Sequence, residues 1–227
     1  MPAAVCHRFT DRRAGDLAVS GPPDELAPRR AAIHPAPWTW LRQDHGARVV
    51  TVTRPGEHAG EIADAAVTTV VDAPIAVHAA DCAPLLLEAD GALGVVHAGW
   101  RGLVAGVVEA AARALVDLGH PPRAARLGPC IRPRCYEFGA DDLAAVASRY
   151  GHAVVATTAW GTPALDLPAA VRAACARIEV PLADDGTCTA CSPVHWSHRA
   201  RGDASRQALV AWSAADEPVT GRGRHGG

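Results

Sequence analysis

Two apolar runs separated by an Asp-Gly pair constrain the fold of this chain more than any other stretch. The runs lie between Leu85 and His97, and Asp90-Gly91 stands between them. Asp-Gly tolerates the positive φ angles of a tight turn, so the stretch predicts an antiparallel β-hairpin. A hairpin brings its two ends together, which places Cys82, just before the first strand, next to His97. A thiol and an imidazole at adjacent strand ends predict a metal site or an activated nucleophile.

Charge and hydropathy argue against several classes of protein. The chain has 227 residues, a formal net charge of -2 and no block of lysine or arginine, which argues against a nucleic-acid or anionic-membrane surface. We expect a small, neutral or singly anionic substrate instead. No run approaches the roughly 20 apolar residues of a membrane span, and the first residues lack a basic segment followed by an apolar core. We therefore expect a cytoplasmic protein, whose oligomeric state the sequence does not fix.

Strands and helices alternate without a regular βαβ rhythm, which predicts an α+β fold, a layered sandwich of mixed β-sheets flanked by helices. We expect one domain over residues 1–227, with 1–30 as an N-terminal edge segment and 213–227 as a peripheral tail. The predicted helices are 103–116, 142–150 and 167–178. The predicted strands outside the hairpin are 47–52, 66–71, 75–78, 125–127, 154–157 and 209–212.

A third metal-ligand type of side chain stands at another predicted strand end. His45 precedes Gly46 and the strand that follows it, so His45, Cys82 and His97 each lie at a strand end. Three protein ligands leave a fourth position open, which is the pattern of a catalytic rather than a structural zinc. The alternative is that these are ordinary polar residues, since the chain has 11 histidines.

The cysteines beyond this group carry weaker signals. Seven cysteines without a secretion signal favour reduced thiols, some of them ligands, over disulfides. Cys188 and Cys191 have the spacing of a zinc or redox pair, but the chain has no second pair of this spacing, so we favour a packed loop. Cys130 and Cys135 are predicted to be small buried hydrophobic residues.

Taken together, several motifs resemble the YfiH-like family, also called the polyphenol oxidase or laccase-domain family and, in bacteria, peptidoglycan editing factor. They occur in family order over nearly the whole chain, from about residue 38 to 212, and the motif at residues 97–102 is the most specific. The motifs are Gln43-Asp44-His45-Gly46, Ala80-Asp81-Cys82, His97-Ala98-Gly99-Trp100-Arg101-Gly102, Gly128-Pro129-Cys130-Ile131 with Cys135-Tyr136-Glu137, Cys188-Thr189 and Ser197-His198-Arg199.

The resemblance implies a single α+β domain in which His45, Cys82 and His97 bind zinc. It also implies phosphorolysis of adenosine, inosine and S-methyl-5′-thioadenosine, together with adenosine deamination. Thiolate and imidazole ligands suit copper as well as zinc. The chain departs from the family pattern at Asp44, where an apolar residue is usual, and at Arg132 and Arg134, where Gly and Cys are common.

The two reactions need different partners for the zinc. Deamination uses water activated by zinc to attack C6 of adenine, and a carboxylate must carry the proton, for which Asp81 or Glu137 is the candidate. Phosphorolysis needs a bound phosphate to attack C1′ of the ribose. The planar donors of Arg101, beside the backbone of Gly99 and Gly102 at the start of a predicted helix, are one candidate for binding it. Arg206 is a second candidate.

Three other functions compete with the purine nucleoside enzyme. The first is a cysteine hydrolase or amidase that edits peptidoglycan precursors, with Cys82 as nucleophile and His97 as base. The second is a multi-copper-like polyphenol oxidase, an older label of the same family. The third is a structural-zinc or interaction module without catalysis.

Overall fold

The predicted hairpin forms and lies in the middle of the larger of two main sheets. Its strands are β6, Ala83–Ala89, and β7, Ala92–Ala98, and Ala89 pairs with Ala92 across the two-residue turn at Asp90 and Gly91. Gly91 has a φ of 75°, as the turn requires. The prediction of a hairpin at this position is therefore confirmed.

The structure, a computed structural model, describes residues 4–214. The other strands are β1 Ala4–Phe9, β2 Thr39–Trp40, β3 Val49–Val52, β4 Ala65–Thr68, β5 Ile75–Ala79, β8 Ala124–Leu127, β9 Val155–Thr157, β10 Pro163–Leu165, β11 Leu182–Asp184 and β12 Gln207–Ala214. The helices are α1 Pro23–Ala31, α2 Trp100–Ala105, α3 Val107–Asp117, α4 Ala140–Tyr150, α5 Leu167–Arg177 and α6 His198–Arg201. None of the helices in this part of the chain is long and apolar enough to cross a lipid bilayer.

Both main sheets mix parallel and antiparallel strands. The six-stranded sheet has the order β11-β8-β6-β7-β4-β3, and the four-stranded sheet has the order β1-β12-β5-β2. A separate two-stranded ribbon pairs β9 with β10. This arrangement confirms the predicted α+β fold of mixed sheets flanked by helices.

Alternation along the hairpin explains how the layers are held together. Side chains of successive residues in a strand point to opposite faces. Leu85 and Leu87 belong to a core shared with helices α3 and α5, whereas Leu86 and Val95 belong to a second core shared with Ile75 and its neighbours in the four-stranded sheet. Since both faces of the hairpin are buried, its strands are nearly continuous runs of apolar residues.

The N-terminal segment differs partly from its prediction as an edge strand followed by loops. Strand β1 is an edge strand and pairs with β12, as expected. Residues 23–31, however, form helix α1, which begins with Pro23 and has Asp24 and Glu25 in its first turn. Proline at the first helical position and acids in the first turn are helix-start signals that the high proline content of this segment obscures.

The helix predicted over 103–116 is two helices. Gly106 adopts a φ of 89°, which ends α2 at Ala105 and lets α3 begin at Val107. A Cβ atom at this position would lie 2.8 Å from Nη2 of Arg149. A position with a left-handed backbone and a close neighbour favours glycine, and Gly106 changes the direction of the chain here.

The predicted start of the C-terminal tail is wrong by two residues. Strand β12 continues to Ala214, and Ser213 is buried and pairs with Val5. Strand β12 is also flanked on both sides, by β1 and β5, so its end is held by the sheet. The remainder of the predicted tail, 215–227, lies outside the described residues.

Candidate metal centre

The structure brings the three predicted ligands together. Nε2 of His45 lies 3.8 Å from Sγ of Cys82, and one donor atom from each of His45, Cys82 and His97 lies within 4.8 Å of the other two. The hairpin register produces half of this arrangement, because Ala83 pairs with Ala98. Cys82 and His97 each adjoin that pair, at the end of the hairpin opposite the turn.

A buried aspartate that the sequence analysis missed positions both histidines. Oδ1 of Asp64 lies 2.7 Å from Nδ1 of His97 and also accepts a hydrogen bond from the backbone N–H of His45 at 3.1 Å. Oδ2 accepts from the backbone N–H of Gly46 at 2.9 Å. One carboxylate therefore orients the ring of one ligand and the backbone of the other. The only signal in the sequence is a single acidic residue at the start of an apolar strand.

The loop that carries His45 is fixed by its backbone hydrogen bonds and by its close packing against Gly99. His45 has a φ of 63°, a left-handed conformation that Asp64 stabilises through the backbone hydrogen bonds. A Cβ atom on Gly99 would lie 2.6 Å from Cδ2 of His45 and 3.4 Å from Sγ of Cys82. Glycine is required at position 99 because the two ligands occupy the space a side chain would need.

A second buried aspartate, Asp81, directly precedes Cys82 in the chain. Asp81 has a φ of 102°, and its Oδ1 accepts hydrogen bonds of 2.6 Å from the hydroxyls of Thr189 and Ser197. Its Oδ2 accepts from the backbone N–H of Arg199, also at 2.6 Å. Both oxygens of Asp81 are therefore hydrogen-bonded, which fixes the backbone next to Cys82.

The charges of the site reinforce one another. Burial acts to raise the pKa of Cys82, but the charge of His97 and hydrogen bonds with both histidines outweigh it and lower this pKa to about 6. Burial acts to lower the pKa of His97, yet Cys82 and Asp64 raise it to about 9. Burial of Asp64 is likewise outweighed, chiefly by His97, and its pKa falls to about 2. At neutral pH the site holds a thiolate next to an imidazolium.

This donor set fits a zinc ion. In a tetrahedral zinc site a sulfur and a nitrogen ligand lie about 3.6 Å apart, close to the observed separation of Cys82 and His45. Nδ1 of His97 is engaged by Asp64, which leaves Nε2 as its donor atom. A carboxylate behind a metal-binding histidine is the usual way such a ring is oriented.

A cavity of about 450 Å³ opens onto the three donors. Its volume lies within the range of small-molecule sites. Besides the three ligands, its polar lining includes Gln43, His78, His198 and Arg206. The candidate metal centre is therefore accessible to a small molecule from one side.

His78 is a second residue that the sequence analysis did not single out for function. It is 5% exposed, and neither ring nitrogen has a hydrogen-bond partner among residues 4–214. Burial, followed by the charges of Arg30 and His97, lowers its pKa to about 3, so the ring is neutral. A buried polar group without a partner costs about 1–3 kcal/mol, a cost that a water or a ligand in the cavity lined by His78 would offset.

Three of the remaining predicted site residues do not line this cavity. Arg101 is exposed and stacks on Trp100 at 4.4 Å, because α2 already begins at Trp100 and carries Arg101 away from the cavity lining. Gly102 is buried, and a Cβ there would lie 3.0 Å from the carbonyl oxygen of Gly46, so packing explains this glycine. Glu137 accepts a hydrogen bond from Nε1 of Trp160 and lines a different cavity. The roles predicted for Arg101 and Glu137 therefore stay predictions, with neither residue in the lining of the cavity at the three donors.

Arg206 is the second residue predicted to bind phosphate. It lines the cavity beside the metal ligands. Its Nη1 donates to the backbone carbonyls of Asp203, Ala204 and Ser205 at 2.8–3.0 Å, which fixes the guanidinium.

A second group of metal-ligand type forms at the surface. Sγ of Cys135 lies 3.3 Å from Sγ of Cys191, and Cys188 is within 4.8 Å of both. Cys135 is half-buried, so the prediction of a buried hydrophobic residue is wrong for it, whereas Cys130 is fully buried as expected. Burial and the neighbouring Cys191 and Cys188 raise the pKa of Cys135 to about 12. The pair expected to be a packed loop therefore has a third thiol beside it.

Comparison with known families assigns the chain. Residues 24–214 match the family described as multi-copper polyphenol oxidoreductase laccase. The chain belongs to this laccase-like family. The match includes all three candidate metal ligands and both aspartates that position them.

Relatives in the laccase-like family carry the name purine nucleoside phosphorylase. One from Streptomyces coelicolor is 41% identical over 194 residues, which are 83% of this chain and 80% of the relative. One from Streptomyces griseus is 41% identical over 207 residues, 87% of this chain and 82% of the relative. One from Xylella fastidiosa is 39% identical over 187 residues, 76% and 71% of the two chains.

Solved structures share the fold. A Neisseria meningitidis protein of the DUF152 family superposes with a TM-score of 0.82 at 25% identity, over 95% of this chain and 99% of that one. The Bacillus licheniformis hypothetical protein YfiH superposes with a TM-score of 0.81 at 21% identity, over 92% of each chain. The resemblance to the YfiH-like family is confirmed.

Proposed function

We propose that this protein is a zinc-dependent purine nucleoside phosphorylase that converts adenosine, inosine and S-methyl-5′-thioadenosine to the free base and a (methylthio)ribose 1-phosphate. The observation that carries the proposal is the convergence of His45, Cys82 and His97 on one point that faces a cavity of about 450 Å³. The names of the relatives from Streptomyces and Xylella support the reaction class.

The protein's own residues account for binding and orientation. Zinc, when bound, supplies Lewis-acid stabilisation to an oxygen of the reactants. Arg206 places a fixed positive charge at the cavity, suited to phosphate. The neutral ring of His78 offers one donor and one acceptor, suited to the edge of a purine or to ribose hydroxyls. In the reaction a phosphate oxygen bonds to C1′ while the bond from C1′ to the purine nitrogen breaks, and the purine leaves with a proton.

Adenosine deamination is the weaker part of the proposal. It requires a carboxylate to carry a proton near the substrate. The described residues that line the cavity include no aspartate or glutamate, and both oxygens of Asp81 are already hydrogen-bonded. We therefore expect inosine to form from adenosine more slowly than adenine does.

One observation favours a cysteine hydrolase as the second candidate. Cys82, His97 and Asp64 are arranged as a nucleophile, a base and an orienting carboxylate, respectively. A hydrolase of this type has no need of His45, whose Nε2 lies 3.8 Å from the same sulfur. The third donor is the reason to prefer a metal.

The test is a nucleoside assay with and without phosphate. Purified protein incubated with adenosine should release adenine and ribose 1-phosphate only when phosphate is present. Cys82→Ala should abolish the reaction and remove the zinc bound at this centre, while Cys6→Ala, which removes a partly buried thiol on strand β1, should change neither. Adenine release without phosphate, or full activity in Cys82→Ala, would overturn the proposal. Full hydrolase activity in zinc-free protein would favour the cysteine mechanism.

The role of His78 has its own measurement. His78→Leu removes both hydrogen-bonding atoms but keeps an apolar side chain of similar size. We expect KM for the nucleoside to rise about 5- to 50-fold, as for the loss of one or two hydrogen bonds, with the zinc content unchanged. An unchanged KM together with a lower melting temperature would mean that His78 is only a core residue.

A further inference from the structure

The surface thiols combine features that packing alone does not require. Cys135 lies at the end of a short 3-10 helix, and Cys188 and Cys191 lie in a turn 53 or more residues later in the chain. Their three sulfur atoms nevertheless converge within 4.8 Å. Cys130, five residues before Cys135, pairs with Cys188 through an isolated β-bridge. The backbone leading to Cys135 is therefore in direct contact with the backbone at Cys188.

The sulfur atoms lie near the separation that a thiophilic cation requires, since Sγ of Cys135 is 3.3 Å from Sγ of Cys191, about 0.5 Å closer than the ligands of zinc. Sulfur ligands of tetrahedral zinc lie about 3.8 Å apart, as two Zn–S bonds of about 2.3 Å require. The pair spaced by two residues supplies two ligands from one turn, and the backbone N–H of Ser192 closes that turn on the carbonyl oxygen of Cys188 at 2.9 Å. Cys135 supplies the third ligand. It also lines a cavity of about 720 Å³ that would leave a fourth position accessible.

The same turn reaches the first metal centre through hydrogen bonds. Thr189, between the two cysteines of the pair, donates its hydroxyl hydrogen to Asp81 at 2.6 Å. Asp81 is the residue that precedes Cys82. Whatever fixes the turn at 188–191 therefore also fixes one ligand of the buried site.

We infer that Cys135, Cys188 and Cys191 bind a second cation of the thiophilic d10 class, zinc or copper(I), which joins the 133–135 and 188–191 segments and so braces Asp81. This site is separate from the buried centre and does not depend on the reaction catalysed there. A cation bound at this second site affects the buried centre only by fixing the position of Asp81.

The test is the metal content of the full chain. Protein loaded with zinc and freed of excess ion by gel filtration should carry two equivalents per chain. Cys191→Ser and Cys82→Ala should each carry one, and the double variant should carry none. Cys6→Ser, which removes a thiol outside both groups, should retain two. A single equivalent in the wild type, or two equivalents in Cys191→Ser, would overturn the inference.

A second measurement uses the unmodified protein and so does not depend on the folding of a variant. Cys191 is exposed, and bound zinc should slow its alkylation by iodoacetamide at least tenfold relative to protein treated with a chelator. Equal rates would overturn the inference. In denaturant without reductant, all seven cysteines should titrate as thiols. A count of five, which is seven minus two, would show that a disulfide, rather than a cation, joins this group.

Discussion

The buried centre and the surface thiol group are built from similar ligands but are held in different ways. His45, Cys82 and His97 are fixed by the register of one hairpin and by two buried aspartates. The thiols of Cys135, Cys188 and Cys191 lie on two surface segments, and one of them is exposed. Buried carboxylates fix the ligands of the first group, whereas the segments of the second group are held by backbone contacts and by the hydrogen bond from Thr189 to Asp81. We expect the two sites to differ accordingly in the consequences of losing one supporting contact.

The largest effect is expected from removing the support of the buried centre. Asp64→Asn replaces an acceptor by an amide that cannot satisfy the N–H groups of His45 and Gly46 together with His97. Zinc affinity and turnover should fall about 10- to 100-fold. Competition with a chromogenic chelator and phosphorolysis rates measure the two effects. Asp117→Asn, at an exposed aspartate at the end of helix α3 whose carboxylate has no hydrogen bond or ion pair among residues 4–214, is the matched control.

The difference in stability between the wild type and Asp64→Asn should change with pH in a defined direction. The folded pKa of Asp64, about 2, lies below the ordinary value of 3.8, so its ionisation stabilises the fold fully above pH 4. This contribution, of the order of 2 kcal/mol, is lost as pH falls through 2. The difference in unfolding free energy between wild type and Asp64→Asn in denaturant should therefore shrink below pH 4. A gap that stays constant down to pH 2 would contradict the assigned role of the carboxylate.

Proton release on metal binding also distinguishes the two sites, with the supporting residues unchanged. In the metal-free buried centre His97 keeps its proton up to about pH 9, and Cys82 loses its proton near pH 6. Zinc binding there should displace one proton from His97, so affinity should rise about tenfold per pH unit from 6 to 9 and then level off. The thiol group should gain affinity beyond pH 9, because the pKa of Cys135 is raised to about 12. Calorimetry in buffers of different ionisation enthalpy, on Cys191→Ser and Cys82→Ala, measures each site alone.

The smallest effect is expected at the contact between the two sites. Thr189→Val removes one of three donors to Asp81 and leaves Ser197 and the N–H of Arg199 in place. Stability should fall by about 1–2 kcal/mol, and turnover should fall only a few-fold. Thr187→Val is the control, since Thr187 contacts Arg132 and Asp185 through its backbone. A loss of activity as large as that of Asp64→Asn would mean that the two sites are not supported independently.

The sequence predicts the parts of the molecule that local pattern determines. The Asp-Gly turn and its flanking apolar runs set the hairpin, and the hairpin sets the contact of Cys82 with His97. Long-range contacts escape such reasoning: Asp64 and His97 are 33 positions apart, and Cys135 and Cys191 are 56 apart. The prediction for Arg101 depended on a local feature, the start of the helix. Helix α2 begins at Trp100, two residues before Gly102 rather than after it, and Arg101 is not in the lining of the cavity.

The hairpin register determines where this chain can tolerate a change in length. Two of the metal ligands stand at its open end: Cys82 is eight residues from Asp90 and His97 is six residues from Gly91, or roughly 20–27 Å along the strands. Extra residues placed between Asp90 and Gly91 would leave the ligand spacing untouched, so this turn is suited to a peptide tag or a new pair of chain ends. Deleting one residue inside strand β7 would instead rotate His97 to the opposite face of the sheet and dismantle the centre.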